Sequence, residues 1–177
     1  MPIVSDVTDW SGFYAGLTGS FVTSGTNQYY YIGVAGDSYD LLGSQYGGFA
    51  GYNIQRNSLV YGAEMAILAG NVYQESAPSF VSDMTIDVKA RVGYAVGSAL
   101  IYGFAGASME TWENGGITTN PNAFGFNYGA GVDYLITNRL FVGVEYIMRD
   151  VTTDFNENPN SLGLTTSAVQ VRVGSKF

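Results

Sequence analysis

The stretch MTIDVKARVGY, residues 84–94, decides the fold because its side chains alternate strictly in polarity. The apolar set is Met84, Ile86, Val88, Ala90, Val92 and Tyr94, and the other set is Thr85, Asp87, Lys89, Arg91 and Gly93. A repeat of two residues is typical of a β-strand, whose successive side chains point to opposite faces. The stretch therefore predicts a strand with one apolar face and one face that carries every charge.

The same alternation recurs along the chain. It is found in residues 10–23, 43–54, 59–68, 99–108, 124–134, 140–149 and 169–177. In residues 99–108, Leu100, Tyr102 and Phe104 form the large apolar set. About ten residues is the length that a tilted strand needs to cross a bilayer. We predict an all-β protein, an eight-stranded antiparallel up-and-down transmembrane β-barrel.

The predicted connections alternate between short and long. Short turns are expected at residues 55–58, 97–98 and 137–139, and longer polar loops at 24–42, 69–83, 109–122 and 150–165. This alternation is typical of bacterial outer-membrane barrels, in which the short turns face the periplasm. It predicts that both termini are periplasmic and that the long loops are extracellular.

The composition favours lipid around the barrel. The chain has 24 Gly, 14 Tyr and 10 Phe but only 12% charged residues, whereas soluble domains have about 25%. An eight-stranded barrel encloses a space that side chains just fill, so the predicted lumen face carries small and charged residues and the large apolar face contacts lipid. Two alternatives are a soluble barrel or sandwich with an aromatic core, and a single membrane-spanning helix over residues 92–109.

Several classes of function are excluded by missing residue types. The 177 residues contain no Cys and no His, which removes the usual Ser-His and Cys-His catalysis and His-ligated metal or haem. We therefore expect neither an enzyme nor a cofactor. The net charge of −8 argues against nucleic acid as a partner, since phosphate binding needs clustered Lys and Arg.

Residues 1–9 are predicted to form a polar periplasmic lead-in, in which no signal peptide is visible, and residues 10–177 are predicted to form one barrel domain.

Four motifs, in their order and spacing, carry a family resemblance. They are WSGFYAG at residues 10–16, KARVGY at 89–94, GAGVDY at 129–134 and VRVGSKF at 171–177. The chain resembles the small outer-membrane β-barrels typified by alphaproteobacterial major surface antigens, the porin-like and opacity-type barrels, and the membrane domain of outer-membrane protein A. The resemblance implies a Gram-negative cell outer membrane, with lipid and lipopolysaccharide as surroundings. It also implies that the terminal Phe177 belongs to the signal that the barrel-assembly machinery recognises. Unlike outer-membrane protein A, the chain is expected to carry no periplasmic peptidoglycan-binding domain after the barrel and no cell-wall anchor.

Charges on the lumen face are expected to form a network that plugs the barrel. Its members are Glu64, Asp87, Lys89, Arg91, Asp133, Glu145, Arg149, Arg172 and Lys176. Five bases and four acids leave one positive charge, and such near balance suits charges withdrawn from water. The network is interpreted as structural packing or, as in related barrels, as a gate between closed and conducting states.

The predicted long loops carry only acidic charge. Their acids are Asp37, Asp40, Glu75, Asp83, Glu110, Glu113, Asp150, Asp154 and Glu157. Two interpretations are that the loops bind Ca²⁺ or Mg²⁺, with Asp150, Asp154 and Glu157 as the candidate site, and that the loops are only solvated. We expect a structural and surface-interaction role, with envelope integrity and loop-mediated adhesion or host contact. The alternative is a narrow, gated, weakly cation-preferring pore for small solutes.

Overall fold

The protein is a closed β-barrel in its computed structural model, which describes residues 8–31, 34–74, 77–114, 122–154 and 161–177. The strands are β1 Gly12–Tyr31, β2 Val34–Arg56, β3 Leu59–Gln74, β4 Ala77–Val96, β5 Ala99–Asn114, β6 Asn122–Leu135, β7 Leu140–Asp154 and β8 Ser161–Lys176. Each strand pairs antiparallel with the next, and β1 also pairs with β8. The predicted eight-stranded antiparallel up-and-down barrel is confirmed.

Three tight turns lie at one end of the barrel, which we call the turn end; the opposite end is the far end. Asn57 and Gly97 each begin a two-residue turn with φ of 56°, a left-handed conformation that Gly and Asn adopt most readily. In the third turn, the Thr137 hydroxyl accepts a hydrogen bond from the Leu140 amide at 2.9 Å. The short predicted turns therefore have local causes in the sequence.

The strands extend well beyond the predicted segments toward the far end. Most residues of the four predicted long loops are in fact strand; β1, for example, continues to Tyr31 and β2 begins at Val34. The loop prediction was wrong there because the outward apolar pattern ends and reverses. Leu41 and Val72 are buried in the lumen, while Asp40 is exposed. Above a bilayer the outer face of a strand contacts water, so the lipid-facing pattern is lost while the backbone ladder continues.

The outer surface carries the large apolar face. Phe13, Leu17, Val88, Phe126 and Tyr134 are all exposed, with Leu17 68% exposed and Phe126 76%. Soluble monomers rarely show apolar patches above a few hundred Å², whereas this surface encircles the barrel. The arrangement supports lipid contact and argues against the alternative of a soluble barrel with an aromatic core.

Strand β5 reverses one prediction. Leu100, Tyr102 and Phe104 are buried in the lumen instead of facing outward. The other face of this segment, residues 99–107, is small or apolar. Neither face carries a charge there, so polarity could not choose between them. Pairing decides the matter: Tyr102 lies opposite Gly93 and Gly131, which belong to the lumen faces of β4 and β6.

Residues 92–109, considered above as a single spanning helix, belong to β4 and β5 and the turn between them. In the described ranges we find no helix with the length and hydropathy needed to cross a membrane.

Candidate functional site

Six charged side chains meet in the middle of the lumen, and we call them the central cluster. They project from β3, β4, β6, β7 and β8, and none is more than 4% exposed. The members are Glu64, Lys89, Arg91, Asp133, Glu145 and Arg172. Alternation along each strand turns these residues inward, and closure of the barrel brings them together from strands far apart in the chain.

Glu64 lies at the centre of this cluster. Its Oε2 accepts hydrogen bonds from Arg172 Nη2 at 2.6 Å, Arg91 Nη1 at 2.9 Å and the Tyr14 hydroxyl at 2.9 Å. Its Oε1 accepts from Arg172 Nη1 at 3.0 Å and from Lys89 Nζ at 3.4 Å. One carboxylate therefore joins all three cations of the cluster.

The other two carboxylates complete the cluster. Asp133 Oδ2 pairs with Arg91 Nη2 at 2.8 Å, and Glu145 Oε2 pairs with Arg172 Nη1 at 2.9 Å. Lys89 also donates to Glu145. Three cations thus face three anions, and the cluster is neutral. Such balance is what allows buried charges to persist, because an unpaired charge in a low-dielectric interior is strongly destabilising.

Aromatic rings pack against every cation of the cluster. The guanidinium of Arg91 lies 3.8 Å from the centroid of the Tyr102 ring, and that of Arg172 lies 4.0 Å from the centroid of Phe49. Lys89 Nζ lies 4.7 Å from the centroid of Phe104. These distances are within the range of cation–π attraction. The rings also occupy space that water would otherwise fill.

Glycines on β6 make room for these lumen rings. A Cβ on Gly131 would lie 2.5 Å from the Tyr102 hydroxyl oxygen, and one on Gly129 would lie 2.7 Å from Cζ of Phe104. At Gly131 a side chain would require the ring to move, and at Gly129 the backbone oxygen of Tyr146 lies closer still and excludes a side chain as well. The inward glycines are thus matched to large neighbours on β5.

A second charged pair lies closer to the far end. Arg149 binds Asp87 through two hydrogen bonds, Nε to Oδ1 at 2.9 Å and Nη2 to Oδ2 at 2.6 Å. The Ser108 hydroxyl donates to Asp87 Oδ1 at 2.6 Å, and Asn127 Nδ2 donates to Ser108 at 2.8 Å. This bidentate geometry is specific to arginine.

Gln170 connects the two groups of charges. With its amide nitrogen turned toward Glu145, it donates to Oε1 at 3.1 Å, while its oxygen accepts from Arg149 Nη2 at 3.0 Å. The sequence analysis missed Gln170 because a neutral amide carries no charge signal. Its position on the lumen face of β8, two residues from Arg172, was the available clue.

Two charges differ from their predicted places. Lys176 is only partly buried and donates to the backbone oxygen of Asp9 at the turn end, so it lies apart from the central cluster. Glu110, predicted in a loop, is buried on β5 and interacts electrostatically with Arg149. The buried lumen charges are therefore four bases and five acids, one negative charge in place of the predicted positive one. Both residues lie near the ends of strands. There, the predicted boundary of a strand determines whether a residue is assigned to the lumen, to a loop or to the mouth of the barrel.

Apolar layers close the lumen on both sides of these charges. The layer at the turn end includes Val60, Ala95, Leu100, Leu135 and Phe141, and the layer at the far end includes Leu41, Val72, Ala123, Val151 and Leu164. Every one of these side chains is buried. Side chains thus occupy the lumen in successive layers, apolar, charged and apolar.

Residues 4–177 match the family of the outer membrane protein beta-barrel domain. The chain belongs to this outer-membrane β-barrel family. The match spans nearly the entire chain and agrees with the resemblance carried by the four sequence motifs. Localisation to the outer membrane follows from the family and from the apolar outer surface.

Relatives of this outer-membrane barrel occur in alphaproteobacteria. A 22 kDa outer membrane protein of Rhizobium leguminosarum bv. viciae is 29% identical over 98% of this chain and 81% of the relative. A 25 kDa outer-membrane immunogenic protein of Brucella canis is 28% identical over 74% of this chain and 64% of its own length. The chain therefore spans somewhat less than two thirds of the Brucella protein.

Solved structures with the same fold include two bacterial outer-membrane proteins. OprG from Pseudomonas aeruginosa aligns with a TM-score of 0.63 and 12% identity, covering 97% of this chain and 98% of OprG. Neisserial surface protein A aligns with a TM-score of 0.51 and 19% identity, covering 94% and 98%. At these identities the likeness concerns the fold of the barrel alone.

The candidate cation site at the far end of the barrel is only partly described. Asp150 is exposed on β7, while the side chains of Asp154 and Glu157 lie outside the described residues. The same holds for the predicted loop acids Asp37, Glu75 and Glu113. Among the residues that the structure does describe, no three acidic side chains group in a way that could hold a metal ion.

Phe177 follows the last residue of β8. Its backbone amide donates to the Phe13 oxygen at 2.9 Å, and its side chain is 80% exposed on the outer surface. The terminal ring is thus free for contacts outside the barrel, while its backbone extends the seam between β1 and β8.

Proposed function

We propose that this outer-membrane barrel is a closed structural and surface-interaction protein. The observation that carries the proposal is the filled lumen: a neutral, hydrogen-bonded central cluster lies between two buried apolar layers. Passage of a hydrated solute would require several buried ion pairs to separate together, which is strongly unfavourable in a low dielectric. A barrel of this kind is a stable structural element of the membrane and presents the residues at its far end for surface interactions.

The proposed orientation puts the turn end and both termini in the periplasm and the far end outside the cell. Short turns on the periplasmic side are the general rule for this architecture. The description of the Brucella relative as immunogenic supports surface exposure of the far end. Exposed Asp40 and Asp150 there suit contact with cationic groups, or with lipopolysaccharide phosphates bridged by divalent cations.

Assembly is proposed to use the last strand and Phe177 as the contact for the barrel-assembly machinery. The exposed ring and the position of its backbone at the β1–β8 seam support this role, because the seam joins the first and last strands. Lipid and lipopolysaccharide are the proposed partners of the outer apolar surface.

Planar-bilayer recording tests the closed state directly. The purified, folded barrel should show no steady conductance, while an open porin recorded in the same bilayer should. Cells that lack the protein should become more sensitive to detergent and to bulky antibiotics, and the intact chain should restore resistance. A steady conductance from the wild-type barrel would contradict the closed-lumen proposal.

The second candidate is a gated pore, and the shared ligands of the central cluster favour it. Lys89 contacts both Glu64 and Glu145, and Arg172 contacts the same two carboxylates. A cation that exchanges between two anions provides two arrangements of similar charge balance, which a gate requires. Brief, cation-preferring openings that change in frequency on Glu145→Gln or Arg172→Gln substitution would support this candidate.

A further inference from the structure

Residues 8–11, directly before β1, cross the mouth of the barrel at the turn end. The Thr8 amide donates to the Gly97 oxygen at 3.3 Å, and Gly97 lies in the turn between β4 and β5. In a closed ring of eight strands β5 lies opposite β1. The four residues from Thr8 to the start of β1 can span about 14 Å at most. The segment therefore runs from one wall of the mouth toward the other.

Trp10 is buried inside this mouth. It is 2% exposed, and its ring lies edge-on to Phe141, with 6.0 Å between centroids. Phe141 in turn lies 6.1 Å from the ring of Tyr14, whose hydroxyl binds Glu64. The indole is thus the outermost ring of an aromatic column that reaches the central cluster.

Hydrogen bonds to the end of β2 hold the backbone around Trp10. Its amide donates to Gln55 Oε1 at 2.6 Å, and the Gln55 amide donates to the Ser11 hydroxyl oxygen at 3.1 Å. Gln55 Nε2 donates to the Asn57 oxygen at 2.7 Å. These reciprocal bonds fix the position of the indole, since they tie the Trp10 backbone and the Ser11 side chain to the barrel wall.

Lys176 holds the segment from the side of β8. Its ammonium group donates to the Asp9 oxygen and lies 5.6 Å from the centroid of the Trp10 ring. The Asp9 carboxylate accepts a hydrogen bond from the Ser11 amide at 2.8 Å, and this bond lowers the pKa of the Asp9 carboxyl. The ionised Asp9 lies near Lys176 and attracts it. This arrangement indicates that Lys176 holds Asp9 and Trp10 at the mouth.

We propose that residues 8–10 form a stopper that seals the turn end of the lumen against water and small polar solutes, independently of the central cluster. Its contacts come from β2, β7, β8 and the β4–β5 turn. The complete set exists only in the closed barrel, so the stopper docks after β1 and β8 have joined. The proposed function states that solutes do not pass through the whole lumen. The stopper, in contrast, controls the access of water and small polar solutes to the apolar layer at the turn end.

Thiol labelling tests the stopper because the chain has no native Cys. Single cysteines are introduced as Ala95→Cys in the layer beneath Trp10, Ala168→Cys in the buried lumen of β8, and Asn138→Cys on an exposed turn. Each folded variant is treated with a small, charged, water-soluble methanethiosulfonate. We expect Ala95→Cys to react at least about tenfold more slowly than Asn138→Cys, since a protected thiol reacts only through local opening.

Trp10→Ala should raise the labelling rate of Ala95→Cys toward that of Asn138→Cys, while Ala168→Cys remains slow. Phe13→Ala is the matched control, because it removes a neighbouring aromatic ring that is exposed on the outer surface. It should leave Ala95→Cys protected. If gel mobility without boiling shows that Trp10→Ala does not fold, Gln55→Ala, which keeps every ring, is used with the same expectation.

Two results would overturn the stopper. One is rapid labelling of Ala95→Cys while Trp10 is intact. The other is continued protection of Ala95→Cys in a folded Trp10→Ala or Gln55→Ala barrel. Both results concern reagent access to a single layer, so they are read separately from the bilayer recordings that test the closed lumen.

Discussion

Replacement of Glu64 by Gln should strongly destabilise the barrel. Glu64 Oε1 receives Lys89 and Arg172, and Oε2 receives Arg91, Arg172 and the Tyr14 hydroxyl. An amide nitrogen in either position would therefore face a buried cation. The variant also leaves the central cluster with one uncompensated positive charge. Removing one partner of a buried ion pair typically costs about 3–5 kcal/mol, and we expect a loss of unfolding free energy in that range.

A second substitution separates charge balance from shape. Lys89→Met removes one cation and keeps a side chain of similar length, so the double variant Glu64→Gln/Lys89→Met restores a neutral cluster. Arg91 keeps Asp133, and Arg172 keeps Glu145. Because balanced replacement of buried charges is often tolerated, the double variant should be more stable than Glu64→Gln alone.

The assay is urea unfolding of the barrel in phospholipid vesicles, with the folded fraction read from gel mobility without boiling. Asp40→Asn, at an exposed acid near the far end, is the control and should leave the unfolding midpoint unchanged. The reasoning would be refuted if Glu64→Gln lost less than about 1 kcal/mol, the value of an exposed pair. It would also be refuted if the double variant were less stable than both single variants.

Three further predictions concern the second ion pair, the outer surface and the terminus. Arg149→Met should lower the unfolding free energy of the barrel by about 3–5 kcal/mol, because it leaves the buried Asp87 without its bidentate partner. Arg149→Lys keeps the charge but cannot bind both oxygens. Its unfolding free energy in the same assay should lie between those of Arg149→Met and the wild type. Val88→Lys, on the exposed middle of β4, should lose about 2–4 kcal/mol in vesicles, as expected for a charge at the bilayer midplane, and a much smaller loss would argue against lipid contact there. Deletion of Phe177 should reduce the amount of folded barrel in cells but leave refolding into detergent unchanged, since its exposed ring makes its proposed contact outside the barrel. Equal impairment in cells and in detergent would contradict a role of Phe177 in recognition by the barrel-assembly machinery.

Much of the fold could be predicted from local sequence pattern. Residues 84–94 show why: alternation in a single strand already assigns Asp87, Lys89 and Arg91 to one face, and all three are buried in the lumen. The turns at Asn57 and Gly97 were equally predictable, because each uses a residue that tolerates positive φ. The far ends of the strands were harder to predict because apolar residues there face the lumen and polar residues face outward, so the pattern of a lipid-facing strand is absent.

The candidate site was only partly predictable. Charge and alternation selected the six members of the central cluster, but they could not select Tyr14, Tyr102 or Gln170, which bind those charges. Tyr102 was assigned to the wrong face because neither face of residues 99–107 carries a charge. Lys176 has the correct parity for the lumen but lies at the mouth, beside Trp10.

The number of strands, the alternation of the clear strands and the residues available for the lumen could be read from local sequence, since each of these depends on neighbours within about ten positions. Which charges pair, which face of β5 turns inward and how Trp10 covers the mouth depend on the folded barrel. These features arise from closure of the barrel. Once β1 pairs with β8, the registers of all eight ladders set the height and angle of every inward side chain, and contacts such as Glu64 with Arg172 arise between residues that share no local signal.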